Sequence, residues 1–313
     1  MRNFRLISSN INLQIVPKRT IFFLCSVLLI LTSIGIYFSK GLNFGIDFKG
    51  GILMEVRTPQ IADISDLREK LSGLGLGEVS IQKFGKPTDV LIRIQRRDGN
   101  DEAQQVTVDA VKIALGTNVD YRRTEFVGPK VSEELLWNGI MAVIFAISAI
   151  LIYVWFRFEW QFGVGAIIAL SHDVLSTIGL FSLISHEFNL ATVAAVLTIA
   201  GYSINDTVVV YDRVRENIRK FKVVEFSELL NLSINQTLSR TVMTSLTTLL
   251  ALISLYCLGG EVIRDFALAM IWGVLIGTYS SICLAVPLLI YMQIERPTGG
   301  ELKDNDKSHN PAI

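Results

Sequence analysis

The sequence shows no excess of either charge: 29 Lys and Arg stand against 29 Asp and Glu in 313 residues. The basic footprint that nucleic acid requires is therefore missing, and no nucleic-acid partner is expected. Residues that build metal and redox centres are also scarce. The three cysteines, Cys25, Cys257 and Cys283, all fall in apolar runs without CxxC or ligand spacing. They read as small packing residues facing lipid or a neighbouring helix. There is no GxxxxGK[ST] phosphate loop, no metal cluster, and no Ser, His and Asp gathered in one stretch, so an enzyme is not expected.

What the chain has in abundance is hydrocarbon. Half of its residues are hydrophobic, and several uncharged runs are long enough to cross ~30 Å of bilayer. The first, 20–38, is longer than a signal-peptide core and is followed by Tyr37-Phe-Ser-Lys-Gly, a poor cleavage site, so it reads as a retained span. Five more are expected at 137–156, 163–184, 189–211, 238–258 and 266–292. Lys and Arg decide the orientation. Arg2, Arg5, Lys18, Arg19, Arg157, Arg213, Arg215, Arg219, Lys220, Lys222, Arg296, Lys303 and Lys307 fall on one side, and the short loops of the other side hold only Arg264. Both termini are thus expected in the cytoplasm. The resulting division is an N-terminal segment 1–19, the first span, an external segment 39–136, and a membrane block 137–292 containing a cytoplasmic loop 212–237. A polar tail, 293–313, reads as disordered.

The external segment reads as a folded domain. Strand patterns at 51–57, 79–84, 90–95 and 119–127 alternate with helical spacing at 64–74 and 101–115, giving the order β-α-β-β-α-β. The expected fold class is an α-helical polytopic membrane protein of six transmembrane helices, with a small α+β, ferredoxin-like periplasmic domain between the first two.

The chemistry-bearing residues sit in the spans. Asp206 and Asn205 lie inside the fourth span, and a carboxylate at that depth is costly enough to mark an ion pathway or an ion pair. Tyr202 and Ser203 share the Asp206 face. Arg240 opens the fifth span, and its face continues through Thr244, Thr247 and Thr248, with Thr237 one turn earlier. Asp206 and Arg240 are placed to pair, either as a static salt bridge or as a switch. Asp173, mid-span in the third helix after His172, is either a hydrogen-bonded packing residue or a member of a proton route. In the sixth span Gly273, Gly277 and Ser281 recur at four-residue spacing. They allow close approach of another helix, in this chain or a second one; Gly163 and Gly165 read the same way.

Several of these stretches together carry a resemblance. Gly45-Ile-Asp-Phe-Lys-Gly-Gly51 with its Asp47, Gly50 and Gly51, Val127-Gly-Pro129, Leu170-Ser-His-Asp173, Gly201-Tyr-Ser-Ile-Asn-Asp-Thr-Val-Val-Val210, Tyr256-Cys-Leu-Gly-Gly260 and Gly277-Thr-Tyr-Ser-Ser281 run in order over residues 20–292. The set is similar to the SecF family of bacterial protein-export membrane proteins, within SecD/SecF and the RND superfamily. Ser132 departs from that pattern, where a Gly is expected after Val-Gly-Pro. The resemblance implies residence in the bacterial inner membrane, amid membrane lipid, and a SecD partner completing a twelve-span RND-type complex. It implies the SecYEG channel and YajC as further partners, and an unfolded, translocating polypeptide as cargo. It also implies H+ as coupling ion, with Asp206 and Arg240 at the matching proton-route positions. The readings that compete with this are a non-transporting scaffold for SecD and the channel, and half of a small-molecule efflux pump. The second is disfavoured by the small external segment.

Overall fold

The computed structural model describes residues 12–76, 79–83, 85–94, 101–116, 118–259, 261–292 and 294. Six of its helices are long and apolar enough to cross a membrane. In chain order the elements are α1 (Arg19–Lys40), β1 (Asn43–Phe44), α2 (Ile46–Lys49), β2 (Gly51–Arg57), α3 (Ile64–Ser72), β3 (Val79–Lys83), β4 (Asp89–Ile94), α4 (Asp101–Leu115), β5 (Asp120–Val127), α5 (Pro129–Arg157), α6 (Trp160–Ile184), β6 (Glu187–Phe188), α7 (Leu190–Lys220), α8 (Phe226–Leu258) and α9 (Glu261–Ser280). A π-helical turn, Ser281–Ala285, and the short α10 (Val286–Leu288) extend α9. The elements cluster in two compact units: one is Met1–Gly41, Phe145–Ser185 and Ala194–Ile313, the other Leu42–Ile144 and His186–Val193.

In the first unit the helices outrun the apolar stretches that predict them. α7 continues to Lys220 and α8 begins at Phe226, so the expected loop 212–237 is mostly a helical hairpin. Hydropathy marks where a chain leaves hydrocarbon, whereas a helix continues as long as one face stays buried. Here Val214 and Ile218 of α7 pack with Leu229, Leu230 and Ile234 of α8. Asn217 crosses between the two, donating to Ser233 Oγ at 2.8 Å and Gln236 Oε1 at 2.9 Å. The same stretch of α8 holds residues 13–16 in place. Asn235 accepts from the Leu13 N–H and donates to its carbonyl, and Asn231 accepts from the Ile15 N–H at 2.9 Å. The expected disorder after residue 292 concerns positions outside the described residues, save 294.

In the second unit the sheet runs β3-β4-β2-β5, with every neighbouring pair antiparallel. With α3 and α4 inserted, this is a split β-α-β arrangement. Ile52, Met54 and Val56 of β2 stand opposite Ile94, Ile92 and Val90 of β4, and these side chains bury against Leu67, Leu71, Val108 and Val111 of the two helices. Leu53 and Leu91 point the other way and are covered by Ile46. Both faces of the central strands are therefore apolar, which explains why Gly51-Ile-Leu-Met and Val90-Leu-Ile lack strict alternation. Gly50 and Gly51 have φ of 71° and 125°, a conformation that side chains resist. A Cβ on Gly50 would stand 3.2 Å from the Val127 carbonyl and 3.3 Å from Ser132 Oγ. The double glycine thus lets β2 start against the Val127-Gly-Pro turn. Ser132 fits this turn, buried and donating to the Pro129 carbonyl.

A partly buried ion pair closes the end of this sheet. Asp89, 1% exposed, receives Arg57 Nε and Nη2 at 2.6 and 2.7 Å, with Thr88 Oγ1 at 3.0 Å. The Arg57 hydrogen bonds outweigh the cost of burial and hold the carboxyl at about 2, below its ordinary 3.8. A carboxylate lowered by folding stabilises above its unfolded value and loses that contribution as pH falls through the folded one. The pair should therefore contribute on the order of 1–2 kcal/mol above pH ~4, allowing for solvent at Arg57, and lose it between pH ~4 and ~2. Hydrogen exchange of the β2 and β4 amides in Asp89→Asn should exceed wild type at pH 5 and converge with it at pH 2. Equal protection at pH 5 would show that the pair contributes nothing.

Candidate functional site: two buried carboxylates in the helix bundle

The fourth span owes its start to the double-glycine segment. Asp47 Oδ2 accepts the Leu190 N–H at 2.9 Å, and Asn189 Oδ1 accepts that of Thr192 at 3.0 Å. Two first-turn N–H groups of α7 are thereby satisfied, and a carboxylate sits at the positive end of the helix. This gives Asp47 a structural task that motif reading alone does not show.

Further along, α7 packs on α9 through a ladder of small residues. A Cβ on Gly273 would collide with Ile199 Cγ1, and one on Gly277 would stand 3.2 Å from Ser203 Cβ. One turn on, Ser281 Oγ and Thr207 Oγ1 are 2.8 Å apart. The expected small-residue stripe therefore finds its partner within the chain, at Ile199, Ser203 and Thr207. Gly273→Leu should force α7 and α9 apart and cost about 2–4 kcal/mol by overpacking. A lowered thermal transition of the purified protein would report it; an unchanged transition would count against the contact.

This close approach brings Asp173 into reach of three helices. Its carboxylate is fully buried and accepts from Ser203 Oγ of α7 at 2.5 Å and Ser280 Oγ of α9 at 2.7 Å. His172 Nδ1 lies 3.0 Å from the other oxygen. With its proton on Nδ1, His172 donates to Asp173, and its Nε2 has no partner among the described residues. The His172 ring tilts over Tyr279, whose hydroxyl donates to the Phe22 carbonyl at 2.9 Å. Asp173 thus ties the third, fourth and sixth spans together. Ser280 and Ser281 stand where α9 passes into its π turn, just before Pro287. A proline cannot donate to the carbonyl four residues back, so the ladder opens there. Tyr211, also fully buried, donates to the Ala285 carbonyl at 3.1 Å. Gly165 leaves room for it, since a Cβ there would collide with the Tyr211 hydroxyl.

Asp206 is the opposite case. It is 3% exposed, and its Oδ2 has no hydrogen-bond partner among the described residues. Arg240 of α8 interacts with it electrostatically, but no hydrogen bond or ion pair joins them among the described residues. Arg240 and Asn205 are exposed, as are Thr244 and Thr247. The threonines that continue the Arg240 face bond back to their own helix: Thr244 donates to the Arg240 and Thr241 carbonyls, Thr247 to those of Met243 and Thr244. Thr241, one position from Arg240, has a buried Oγ1 without a partner among the described residues. The structure therefore assembles Asp173, Ser203 and Ser280 into one closed cluster and leaves Asp206 and Arg240 as a loose pair. Ser280 lies in the Gly277-Thr-Tyr-Ser-Ser281 stretch, yet no sequence signal ties it to Asp173, 107 positions away.

Six membrane-length helices, a small α+β domain and charged groups buried in the bundle define a multi-pass membrane protein of transport type. The family model described as Protein export membrane protein SecD/SecF, C-terminal, matches residues 107–295, and that of the SecD/SecF GG Motif matches 38–58. Protein translocase subunit SecF of Rickettsia rickettsii is 45% identical over 91% of this chain and 93% of its own length. That of Cereibacter sphaeroides is 46% identical over 90% and 89%. A SecDF crystal structure from Thermus, titled a translocon-associated membrane protein, superposes with a TM-score of 0.84 at 39% identity, over 92% of this chain and 39% of that longer one. A second SecDF structure, in a super-membrane-facing form, gives 0.66 at the same identity. The chain belongs to the SecF family of protein translocase subunits, a protein-export family.

Proposed function

We propose that this chain couples the proton-motive force to polypeptide export as one half of a complex with SecD, acting beside the SecYEG channel and YajC without bond-making catalysis. It would lie in the bacterial inner membrane with both termini in the cytoplasm, consistent with the Lys and Arg bias. The observation that carries this reading is Asp206: a buried carboxylate with an oxygen that no described residue bonds, within the field of Arg240 but not locked to it. A charge in that state is free to take up a proton, and its attraction to Arg240 then falls. The helices are thereby released to shift, and the external domain holds or lets go of the emerging chain. Exposure of Asn205, Arg240 and Thr244 supports a second membrane subunit on that face, since lipid offers such groups no partner. The exit side and the coupling ion, H+ rather than Na+, follow the family resemblance.

The test is export driven by potential and pH gradient, in vesicles holding this chain, SecD and the channel, with Asp206→Asn and Arg240→Met beside wild type. Replacing the proton gradient by a sodium gradient separates the two ions. Export that survives both substitutions would leave a scaffold as the better description.

A further inference from the structure

Two recesses flank the turn between α5 and α6, one lined by Arg157 and the other by Trp155 and Trp160. One, of about 490 Å³, is polar and lined by Arg157, Asp212, Arg215, Glu216, Arg219 and Lys220. The other, of about 440 Å³, is apolar, and runs between α5 and α6 from Trp155 and Trp160 down past Gly163 to Leu170, with Ile204 of α7 at its side. Leu170 lies ten residues beyond Trp160, so the groove reaches ~15 Å along the helix towards the hydrocarbon.

The charges of the polar recess are arranged for an anion. Its two carboxylates are already engaged: Asp212 with Arg157 at 2.7 Å, and Glu216 with Arg213 at 2.8 Å. Arg157 and Arg215 are steadied over the Phe158 ring, 5.2 and 5.5 Å from its centre, and Arg215 also donates to the Arg157 carbonyl at 3.1 Å. Arg219 and Lys220 are exposed and have no carboxylate partner among the described residues. At the same level Trp155, Phe156 and Trp160 are 77%, 90% and 65% exposed, the aromatic belt that marks a membrane–water boundary. A free phosphate would fill the basic recess and leave the groove empty, and a neutral acyl chain would do the reverse. One class of molecule satisfies both.

We propose that this turn binds one anionic phospholipid of the surrounding bilayer, its phosphate held by Arg215, Arg219 and Lys220 and an acyl chain laid in the groove over Gly163. A Cβ at Gly163 would be 4.0 Å from Val154 Cγ1, so a large side chain there fills the groove rather than colliding with backbone.

The test is native mass spectrometry of the full chain, purified alone and with its partner subunit, titrated with phosphatidylglycerol and phosphatidylcholine. Phosphatidylglycerol should bind at least tenfold more tightly than phosphatidylcholine, and Arg219→Gln with Lys220→Gln should remove that preference, a fall of roughly ten- to thirty-fold for two lost cationic contacts. Gly163→Phe should weaken both lipids with the charges intact. Should that variant misfold by circular dichroism, the surface double variant alone decides. Equal binding of the two lipids in wild type, or an unchanged preference in the double variant, would mean ordinary annular lipid and overturn the proposal. So would displacement of phosphatidylglycerol by an equal concentration of inorganic phosphate, which would reduce the site to anion binding. Loss of lipid whenever the partner subunit is present would assign the groove to a partner helix instead.

Discussion

Asp206→Asn is expected to abolish gradient-driven export while leaving the protein folded and assembled. The substitution conserves volume and removes only the charge and its proton chemistry. Because Asp206 Oδ2 has no hydrogen-bond partner among the described residues, little native bonding is lost, and a buried charge, always costly in hydrocarbon, disappears. Stability should stay level or rise. Transport should not survive, because each proton moved through the membrane field is worth ~2.3 kcal/mol per 100 mV, and a neutral side chain collects none of it. The gradient-dependent part of the export rate should fall at least tenfold, with any gradient-independent part untouched. Arg240→Met differs in kind. It leaves Asp206 charged and uncompensated, so it should cost stability as well as drive, and Arg240→Lys should recover the stability better than the coupling. Wild-type export from Asp206→Asn vesicles under an imposed gradient would refute the assignment.

How far the residues alone lead depends on the range of the interaction concerned. Span positions follow from local hydropathy, and β2 and α3 follow from local patterning, so they are readable. Asp206 and Arg240 are readable as charges anomalous in their surroundings, but that no ion pair joins them among the described residues is not. The start of α8 is not readable, because Phe226–Arg240 is stabilised by burial against α7 and residues 13–16 rather than by lipid. Nor is the role of Asp47, which acts on an N–H 143 positions away. Gly273 and Gly277 announce a close helix contact but carry no address for it, since a glycine leaves a space without naming its occupant. Asp173 is the sharpest case. One residue type in one kind of span fits a packing pin and a proton relay equally, and the hydrogen bonds from Ser203 and Ser280 are what the sequence does not supply.

Those positions predict that Asp173 behaves unlike Asp206. Asp173→Ala removes the acceptor of two serines on two other helices and of His172. Ser280 can fall back on the Gly277 carbonyl, already 3.2 Å away, so the loss is partly recovered. Intramembrane hydrogen bonds are worth about 0.6–2 kcal/mol each, and the expected cost is about 2–4 kcal/mol. That is enough to lower the aggregation temperature of the purified complex by several degrees. Asp173→Asn keeps the volume and one carbonyl oxygen for the serines. It should cost under ~1 kcal/mol, since the same hydroxyls still find an acceptor. Gradient-driven export by Asp173→Asn should stay within about twofold of wild type, as expected of a packing residue that carries no proton. A folded Asp173→Asn protein that has lost gradient-driven export would place Asp173 on the proton route with Asp206. A folded one that retains it makes Asp173 the fixed point against which α7 carries Asp206 past Arg240.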